Sequence, residues 1–489
     1  MPDAKCDELT SREANWSSLR VGVLGLGVAG FAATDALMQL GADVSIVDSA
    51  ATDPVNERAE ILGSLGAHTF IGSAELPSEH FDVVVTSPGL PPGHVFHQQA
   101  ALANVPIWGE LELAWRIRSK SGAAPWLCVT GTNGKTTATL MLDSILRASG
   151  LRSEAAGNIG HSLVGVVMHD ELDVIAVEVG APQLPFIHTM SPWASVCLNL
   201  APDHIDHFGD FDQYRSAKAR IYERTQCAAV YNGHEEATIS MVEAADVLEG
   251  CRAIGFTRGI PALSELGVVD KALVDRAFIS NRMDYAQELA LVSDIHPAAE
   301  HNIENALAAA AVARAFGTFD SPDLNRVSPT AVQQGLQNFA PAPHRNAVVA
   351  NVDGVAYVDD SKATNAHAAD TSLSSYPSVI WIAGGLAKGQ DFGELVQAHA
   401  HRIKLAILMG SDAQIIAETL TRHAPNVPVI TLATRDTRAM SEAVQIARER
   451  AKRGDTVLLA PGCASWDMFT DFSHRGDLFA SAVTGGLID

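Results

Sequence analysis

The chain has 489 residues, too many for one ordinary hydrophobic core, so we expect several domains. Hydrophobic residues make up 47% of it and charged residues 19%, which is typical of a globular α/β protein and argues against a disordered chain. The formal net charge of −23 disfavours nucleic acid or an anionic membrane as partner, because both select basic surfaces.

The six cysteines show no metal-ligand spacing, and several lie in apolar runs, which favours buried free thiols in a reducing compartment. Residues 1–18 are polar and mixed in charge, without the apolar segment of a secretion signal. No run of about 18 apolar residues indicates a transmembrane helix. We therefore expect a cytoplasmic protein that is monomeric and does not insert into a membrane.

The first α/β block opens with a strand-like segment, Arg20–Leu24, followed by Gly25-Leu-Gly27-Val-Ala-Gly30 and a helical stretch. The next predicted strand, Asp43–Asp48, ends in a carboxylate, and a later one, Asp82–Thr86, runs into Ser87-Pro88-Gly89. A Gly-x-Gly-x-x-Gly turn after a strand, with an acidic residue ending the next strand, is typical of dinucleotide binding. The motif alone leaves NAD, another nucleotide diphosphate and a tight packing turn open.

A second block follows a linker-like segment, Ser119–Pro125. The apolar strand Trp126–Val129 runs into Gly131-Thr-Asn-Gly-Lys-Thr-Thr137, which opens a helical pattern ending before Gly150. Such a turn points backbone N–H groups into one hollow, and the helix N-terminus adds about half a positive charge. Lys135 and the hydroxyl of Thr136 suit phosphate and Mg²⁺. Position 129 holds valine where the full P-loop pattern has glycine, so the motif predicts ATP binding by a shortened variant; the alternative is an ordinary strand–turn–helix.

Three further candidates lie in this block, and the residues alone leave each of them open. Glu178, at the end of a predicted strand over 173–179, is either a Mg²⁺ ligand or half of a structural salt bridge. Asp203 and His204 follow a predicted strand over 194–200 and suit a metal site equally with a capped helix start and solvated histidines. Lys218, on a helical pattern, is by itself most simply a solvated lysine.

The third block follows a proline-rich boundary, Ala340-Pro-Ala-Pro343, and a helical pattern over 302–315. Its predicted strands cover 355–358, 379–383, 405–409, 427–431 and 456–460, with helices between, which indicates a second doubly wound sheet. Polar loops follow three of these strands, at 359–365, 384–389 and 461–465. Each alone suits an ordinary loop; together they predict a pocket whose lysines bind a carboxylate. Residues 228–295 carry no clear pattern.

Taken in order, these motifs resemble those of the Mur ligase family across nearly the whole chain. The resemblance implies an α/β protein of three domains: a Rossmann-like domain over 1–118, a P-loop-type domain with a parallel sheet over 119–341 and a Rossmann-like domain over 342–489. The matching segments are Gly131-Thr-Asn-Gly-Lys-Thr136, Gly157-Asn158-Ile-Gly160, Asp203-His204-Ile-Asp206, Glu300-His-Asn302-Ile-Glu-Asn305, His344-Arg345, Asp360-Ser-Lys-Ala-Thr-Asn365 and Gly462-Cys-Ala-Ser465.

The Ser-Lys-Ala-Thr-Asn element is similar to that of the D-glutamate-adding member, and the Asp-Asn-Pro-Arg element of a sister that adds a diamino acid is not found. The resemblance therefore implies that ATP and D-glutamate are used to extend UDP-N-acetylmuramoyl-L-alanine through an acyl phosphate, with Mg²⁺ at two sites. Rival interpretations are another Mur ligase, a folylpolyglutamate-type ligase, an NAD-dependent oxidoreductase and a nucleotide-binding regulator without activity.

The resemblance also implies a role for individual residues. ATP would be bound by Gly131, Thr132, Asn133, Gly134, Lys135, Thr136, Thr137, Asn305, Arg345 and Asp360. The UDP-substrate would be bound by Gly27, Val28, Ala29, Asp48, Ser87, Gly89, Asn158 and His204. D-Glutamate would be bound by Lys362, Thr364, Lys388, Ser465 and Phe472. One Mg²⁺ would be held by Thr136 and Glu178, and the other by His204 and Lys218 in its N-carboxylated form. Catalysis would depend on Lys135, Glu178, His204, Lys218 and Arg345.

One segment departs from the family pattern. Where the family usually has Glu-Leu-Ser-Ser-Phe-Gln-Leu, this chain has Glu178-Val-Gly180-Ala-Pro182-Gln183-Leu184. The glutamate is kept, but the two hydroxyls are absent and a proline stiffens the turn. The first glycine turn also has Ala29 where the family frequently has threonine.

Overall fold

A computed structural model describes residues 6–169, 171–317 and 327–485 of the chain. The chain divides into two compact units, one ending at Phe339 and the other beginning at Ala340. The described residues form three sheets with helices between the strands, which confirms the α/β class. None of the helices in these ranges is both long and apolar enough to cross a bilayer.

The first sheet is parallel throughout and has the strand order β3-β2-β1-β4-β5. Its strands are β1 (Arg20–Leu24), β2 (Asp43–Asp48), β3 (His68–Ile71), β4 (Val83–Thr86) and β5 (Ile107–Gly109). Its helices are α1 (Val28–Gln39), α2 (Asp53–Ser64), α3 (Val95–Leu102) and α4 (Glu110–Arg116), after a 3₁₀ turn over Trp16–Ser18. The strand order reverses between β1 and β4, and ligands of open α/β sheets bind at such a reversal.

The second sheet belongs to the same unit and has the order β14-β13-β12-β11-β10-β9-β6-β8-β7. Its strands are β6 (Trp126–Thr130), β7 (Ser153–Gly157), β8 (Val174–Glu178), β9 (Ala194–Cys197), β10 (Ala228–Asn232), β11 (Arg252–Phe256), β12 (Glu265–Val269), β13 (Ala272–Asp275) and β14 (Gln287–Leu291). Its helices are α5 (Lys135–Ala148), α6 (Leu163–Val167), α7 (Ile205–Phe208), α8 (Phe211–Ala219), α9 (Glu236–Glu243), α10 (Glu300–Arg314) and α11 (Pro329–Asn338). Short 3₁₀ helices cover Ala181–Phe186, Arg220–Tyr222 and Val292–Asp294.

The expectation of a parallel central sheet holds for β6 to β12 but not for β13 and β14. These two strands pair antiparallel and extend the sheet by a meander. They lie in the part of the chain, 228–295, whose pattern was unreadable. Parallel strands buried on both faces give continuous apolar runs, whereas an antiparallel edge mixes polar and apolar residues and leaves a weaker signal.

The first two sheets share one apolar core in addition to their separate ones. It joins Trp16, which precedes the first sheet, and Trp108 of β5 to Trp126 and Ile175 of the second sheet. Residues 119–125 between the two sheets form neither helix nor strand. A domain boundary at 118/119 stays a prediction, since this shared core makes the two sheets one compact unit.

The second unit contains a six-stranded sheet of order β15-β16-β20-β17-β18-β19, with β15 antiparallel and the other strands parallel. Its strands are β15 (Ala347–Val352), β16 (Val355–Asp359), β17 (Val379–Gly384), β18 (Ile403–Met409), β19 (Val429–Thr431) and β20 (Thr456–Leu459). Its helices are α12 (Ala366–Ser374), α13 (Gly393–His399), α14 (Ala413–His423), α15 (Arg438–Arg450) and α16 (Phe472–Thr484). Three adjacent strands, β16, β20 and β17, therefore end at one edge, as the polar loops predicted.

Candidate active site

The glycine turn between β6 and α5 has the shape of a phosphate-binding loop. Gly134 caps α5 in the left-handed conformation, with φ of 79°. A Cβ there would lie 2.3 Å from Oδ1 of Asn305, a buried residue of α10. Glycine is therefore needed both for the backbone conformation and for the close approach. The structure thus places Asn305, predicted to bind adenine, directly against the loop.

Asn199, which follows β9, brackets the loop from the other side. Its Oδ1 accepts from the backbone N–H of Asn133 at 2.8 Å, and its Nδ2 donates to the carbonyl of Asn133 at 3.1 Å. Thr132 is fixed by the same segment through the carbonyl of Ala201, at 3.1 Å from its Oγ1. Sequence reasoning missed Asn199, because an asparagine after a strand is ordinary and only the fold brings it to the loop.

Two lysines meet at one carbonyl of this loop. Nζ of Lys135 donates to the carbonyl oxygens of Gly131 and Thr132, at 2.9 and 2.8 Å. Nζ of Lys218, on α8, donates to the same Gly131 oxygen at 2.7 Å. The Nζ atoms of both lysines therefore lie beside the same carbonyl oxygen of the glycine turn, and Lys135 supplies a positive charge next to the N-terminus of α5.

Lys218 is buried, with 1% of its surface exposed, so the interpretation as a solvated lysine is wrong. Burial and then the charge of Lys135 lower its pKa from 10.5 to about 7. Its Nζ also lies 5.2 Å from the centre of the Tyr214 ring, and the hydroxyl of Tyr214 is 3.0 Å from Oγ1 of Thr132. Helical periodicity does not show whether a lysine is buried or exposed. Lys218 is buried because its side chain contacts the glycine loop.

Glu178 joins the loop to the two neighbouring strands. Its Oε2 accepts from the hydroxyl of Thr136 at 2.5 Å, and its Oε1 accepts from Nδ2 of Asn158 at 2.9 Å. Glu178 ends β8, which pairs with β6, and Asn158 follows β7, which pairs with β8. The carboxylate is 1% exposed. The Glu178 carboxylate thus accepts hydrogen bonds from two other residues of the predicted site, Thr136 and Asn158.

The donors present fit one Mg²⁺ beside a triphosphate. Mg²⁺ prefers oxygen ligands and commonly takes one or two from the protein, the rest from phosphate and water. The Thr136 hydroxyl and the Glu178 carboxylate supply such a pair. Among the described residues no group of three or more His, Cys, Asp or Glu side chains is placed to hold a metal without help from a ligand.

The segment around His204 is more open. His204 adopts a left-handed conformation, with φ of 53°, as the N-cap of α7, and its imidazole Nε2 lies 3.7 Å from Oδ2 of Asp203. Its ring is 6.4 Å from that of Tyr214, which places it on the loop's side of α8. The side chain of Asp206 lies outside the described residues. A metal at His204 and Lys218 stays a prediction.

The departing segment after Glu178 forms a regular turn of its own. It is a 3₁₀ helix over Ala181–Phe186 with Pro182 in its first turn, where proline costs little. The backbone N–H of Gly180 donates to Oε1 of Gln183 at 2.8 Å. Glycine at 180 leaves room for Asn158, whose Oδ1 would lie 3.3 Å from a Cβ there.

The predicted UDP-site residues gather where the first sheet reverses its strand order. Gly25 has φ of 86°, and a Cβ there would lie 2.9 Å from Cβ of Ser87, so the turns after β1 and β4 touch. Asp48 uses its Oδ2 to accept from the N–H of Leu26 at 2.7 Å and its Oδ1 to accept from Ala50 at 2.8 Å. Asp48 therefore shapes the glycine turn itself.

The remaining residues predicted to bind the UDP-substrate here flank the same two turns: Gly27, Val28, Ala29 and Gly89. Val28 begins α1 and is 63% exposed, unusual for valine at a helix start. Asn158 and His204, also predicted for this substrate, follow strands of the second sheet.

The second unit groups its predicted ligand residues at the ends of β16, β17 and β20. Lys362 and Phe472 are in contact, with Nζ of the lysine 3.7 Å from the ring centre. Lys388 lies in the same way against Trp466, at 4.2 Å. Trp466 was missed, although it directly follows the predicted Ser465. Leu386 and Ala464 form an isolated bridge, so the loops that carry Lys388 and Ser465 are hydrogen-bonded neighbours.

Asp360 is half-buried and holds two neighbouring segments together. Its Oδ1 accepts from the N–H of Asn346 at 3.1 Å, and its Oδ2 accepts from the Ser372 hydroxyl. Burial raises its pKa to about 6, against the hydrogen bonds and the charge of Arg345, which lower it. Arg345 therefore lies close enough to Asp360 to act on it, but its predicted contact with a phosphate stays a prediction. Thr364 is fixed by its N–H on the carbonyl of Lys362, at 2.8 Å.

His344, beside Arg345, is held by the end of β16. Its Nδ1 lies 2.7 Å from Oδ2 of Asp359, and this hydrogen bond raises the pKa of the imidazole. Its carbonyl accepts from the N–H of Lys362 at 3.1 Å. The segment with Arg345 and the loop with Lys362 are thereby fixed to one another within this unit.

Known proteins resemble this chain over nearly its whole length. The Mur ligase middle domain matches residues 129–313, and the Mur ligase, glutamate ligase domain matches residues 344–463. UDP-N-acetylmuramoylalanine–D-glutamate ligase of Streptomyces avermitilis is 52% identical over 472 residues, covering 96% of this chain and 99% of that protein. The enzyme of the same name from Thermobifida fusca is 45% identical over 467 residues, covering 95% of this chain and 98% of that protein.

Solved structures share the fold at low sequence identity. UDP-N-acetylmuramate-alanine ligase of Thermotoga maritima aligns with a TM-score of 0.55 and 16% identity, covering 96% of this chain and 100% of that one. MurF ligase of the same organism, in complex with ADP, aligns with a TM-score of 0.53 and 16% identity, covering 98% and 100%. Family models, full-length relatives and fold agree, and the chain belongs to the Mur ligase family.

Proposed function

We propose that the protein is an ATP-dependent ligase that joins D-glutamate to UDP-N-acetylmuramoyl-L-alanine in the synthesis of peptidoglycan precursors. The observation that carries this is the glycine loop with Lys135 on one side and the Thr136–Glu178–Asn158 hydrogen bonds on the other. A loop of this kind typically binds a triphosphate. The relatives that this chain matches over nearly their whole length bear the name of this ligase.

The first step is phosphoryl transfer. The terminal carboxylate of the L-alanine attacks the γ-phosphorus of ATP, which forms an acyl phosphate and releases ADP. The loop N–H groups and Lys135 hold the phosphates in place, and we assign Arg345 to the γ-phosphate. Asn305 lies against the loop and is assigned to the adenine, while Asp360 is assigned to the ribose.

Mg²⁺ supports this step. When bound, it would neutralise negative charge that develops on the phosphate oxygens. Thr136 and Glu178 would hold one ion, and Asn158 orients the carboxylate through its amide. We assign a second ion to His204 and Lys218, the latter as N6-carboxylysine. The low pKa of Lys218 leaves a neutral amine near neutral pH, and only the neutral amine combines with CO₂.

The second step forms the amide bond. The D-glutamate amine attacks the acyl carbon, a tetrahedral intermediate forms, and its collapse expels phosphate while the amine loses a proton. Lys362 and Lys388 suit the two carboxylates of D-glutamate, because each ammonium lies on an aromatic ring and neither lysine is buried. Thr364, Ser465 and Phe472 complete this set, and holding the amine near the acyl carbon supplies rate by proximity.

Other assignments follow from the same proposal. The turns after β1 and β4 would bind the UDP group, and three domains bounded near residues 118 and 341 would each bring one substrate. A nucleotide-linked substrate and six free thiols fit a cytoplasmic enzyme. We also propose that the protein acts as a monomer.

An amino-acid specificity assay tests the proposal. Phosphate release from ATP is measured with UDP-N-acetylmuramoyl-L-alanine and, in turn, D-glutamate, L-alanine, L-lysine and diaminopimelate. The proposal predicts release with D-glutamate that exceeds the others by about 100-fold or more, because only a substrate with two suitably placed carboxylates contacts both Lys362 and Lys388. Preference for another amino acid would point to a different Mur ligase. NADH binding without ATP turnover would point to an oxidoreductase.

A further inference from the structure

Glu110, on α4 of the first sheet, is a buried carboxylate that reaches the second sheet. It is 6% exposed. Its Oε1 accepts from the hydroxyl of Ser162 at 3.0 Å, and its Oε2 accepts from Nε2 of Gln183 at 3.2 Å. Burial raises its pKa and these two hydrogen bonds lower it. Each of its oxygens thus leads to a different segment of the second sheet.

The segment on the Gln183 side ends at Glu178. Gln183 accepts from the N–H of Gly180 with its other amide atom, at 2.8 Å. Gly180 lies two residues after Glu178 and packs between Gln183 and Asn158, since a Cβ there would be 3.3 Å from polar atoms of both. The Glu110–Gln183 contact therefore fixes the turn that directs the Glu178 side chain.

The segment on the Ser162 side ends at Asn158. The loop over 157–162 is closed by a hydrogen bond from the N–H of Gly157 to the carbonyl of His161, at 2.9 Å. The N–H of Asn158 donates to the Glu178 carbonyl at 3.0 Å, and its amide holds the Glu178 carboxylate. Both supports of that carboxylate therefore converge on Glu110.

We propose that Glu110 is a positioning residue for the Mg²⁺ ligand Glu178, acting through Gln183 on one side and the Asn158 loop on the other. The inference rests on the proposed role of Glu178. Outer partners that orient a metal ligand typically change metal affinity by about 10- to 100-fold when they are removed. Glu110, on helix α4 beside the first sheet, thereby affects the Mg²⁺ affinity of Glu178 in the second sheet.

The test measures binding of a non-hydrolysable ATP analogue by calorimetry, with and without Mg²⁺. The ratio of the two affinities is the gain that Mg²⁺ gives. In Glu110→Gln, the new NH₂ group must face either the NH₂ group of Gln183 or the Ser162 segment, so one of the two hydrogen bonds is lost. We therefore expect the gain from Mg²⁺ to fall by about 10-fold, while the affinity measured without Mg²⁺ is unchanged. If Glu110→Gln does not fold, Gln183→Met is measured with the same expectation.

Glu112→Gln is the matched control, because Glu112 is an equally buried carboxylate on the same helix. It accepts from Thr189 and His188 and pairs with Arg116, away from Glu178. We expect Glu112→Gln to lower the unfolding midpoint yet keep the Mg²⁺ gain. A loss of the gain in this control, equal to that in Glu110→Gln, would overturn the proposal in favour of general destabilisation.

A swap of the two partners gives the sharpest outcome. In Glu110→Gln with Gln183→Glu, the amide donates to the new carboxylate, which still accepts from Gly180. We expect the Mg²⁺ gain to recover to within about 3-fold of the wild type. A folded Glu110→Gln with the wild-type gain, or a swap without recovery, would overturn the proposal. The measurement uses neither amino acid nor nucleotide-sugar, so a wrong assignment of those substrates does not affect it.

Discussion

The ends of the central strands and the ends of the strands in the second unit both carry lysines for anionic ligands, but hold them differently. At the glycine loop, Lys135 and Lys218 donate to one carbonyl, that of Gly131, and one of them is fully buried. In the second unit, Lys362 and Lys388 lie on the rings of Phe472 and Trp466. The first arrangement places two lysines at one oxygen and lowers the pKa of one of them; the second keeps two lysines apart, each on an aromatic ring.

This difference has a physical meaning for the ligands. The charge of Lys135 disfavours a second ammonium beside it and, after burial, contributes to the low pKa of Lys218. Lys135 therefore supplies the positive charge for the triphosphate and its transition state, whereas Lys218 is the neutral amine from which the proposed N6-carboxylysine forms. In the second unit each ammonium instead lies on an aromatic ring, and two such separate cations suit two separate carboxylates. We therefore expect loss of a lysine to affect turnover at the first place and D-glutamate affinity at the second.

Lys135→Ala should have the largest effect. Without this ammonium the γ-phosphoryl transfer loses a charge that acts in the transition state, so we expect ADP formation to fall on the order of 1000-fold. The affinity for UDP-N-acetylmuramoyl-L-alanine, measured by calorimetry, should stay within about 3-fold of the wild type. Lys271→Ala, at an exposed turn between β12 and β13, is the control. Turnover near the wild-type rate in Lys135→Ala would contradict the expectation that lysines at the glycine loop act on turnover and those of the second unit on D-glutamate affinity.

Lys218→Ala should follow, with a loss of about 100-fold in ADP formation. The variant leaves a cavity beside the Gly131 carbonyl where the carboxylated side chain would stand. Acetate or another short carboxylate should therefore restore part of the activity in a concentration-dependent way. Full activity without any added carboxylate would contradict the assignment of N6-carboxylysine.

Lys362→Ala should raise the KM for D-glutamate by about 10- to 100-fold, the loss of one charge-assisted hydrogen bond. The affinity for the ATP analogue should not change. Lys452→Ala, an exposed lysine of the same unit, serves as control. An equal loss of ATP-analogue affinity would show that the two regions are not as separate as their lysines indicate.

The pH dependence of stability isolates the buried charge. In the folded protein the pKa of Lys218 is lowered to about 7, whereas the unfolded chain keeps the ordinary value of 10.5. Between these values the unfolded chain binds more protons, so this group makes stability rise with pH, by at most about 1.4 kcal/mol per pH unit. Urea unfolding at pH 7 and 9 in CO₂-free buffer should show a smaller rise for Lys218→Met. Identical rises would mean that Lys218 titrates normally.

Trp466→Leu should have the smallest effect. An exposed cation–π contact contributes about 0.5 to 1 kcal/mol, so the KM for D-glutamate should rise about 2- to 5-fold with kcat unchanged. Trp466 is 65% exposed, and its replacement should leave the thermal midpoint unaltered. A change in kcat comparable to that of Lys362→Ala would mean that the ring does more than orient Lys388.

Much of the fold follows from the sequence because buried parallel strands leave a plain signal. The predicted strand over 43–48 has the observed bounds. The helix after the glycine loop, predicted to end before Gly150, covers Lys135–Ala148, so its end differs by one residue. Lys135-Thr-Thr137, which opens the predicted pattern, forms the first turn of that helix. The antiparallel strands β13 and β14 leave a weaker signal, because the edge strand β14 mixes exposed and buried residues and β13, although buried, is only four residues long.

Site residues that are adjacent in sequence could be predicted, whereas residues that only the fold brings together could not. Gly134, Lys135 and Thr136 are neighbours in sequence, and their geometry is that of the motif. Asn199 and the burial of Lys218 depend on which helix and strand cross the loop, so neither spacing nor composition reveals them. Trp466 stood next to a predicted residue, but an aromatic residue in a loop is ordinary until a lysine is found on its face.

Transfer of oxygen from the substrate carboxylate to phosphate tests the central claim most directly. UDP-N-acetylmuramoyl-L-alanine labelled with ¹⁸O in its alanine carboxylate is incubated with the protein, MgATP and D-glutamate, and the released phosphate is analysed by mass spectrometry. Because the attacking carboxylate oxygen leaves with the phosphoryl group, each phosphate should carry one ¹⁸O and ADP should be the nucleotide product. Unlabelled phosphate, or AMP bearing the label, would contradict activation at the γ-phosphate by this loop.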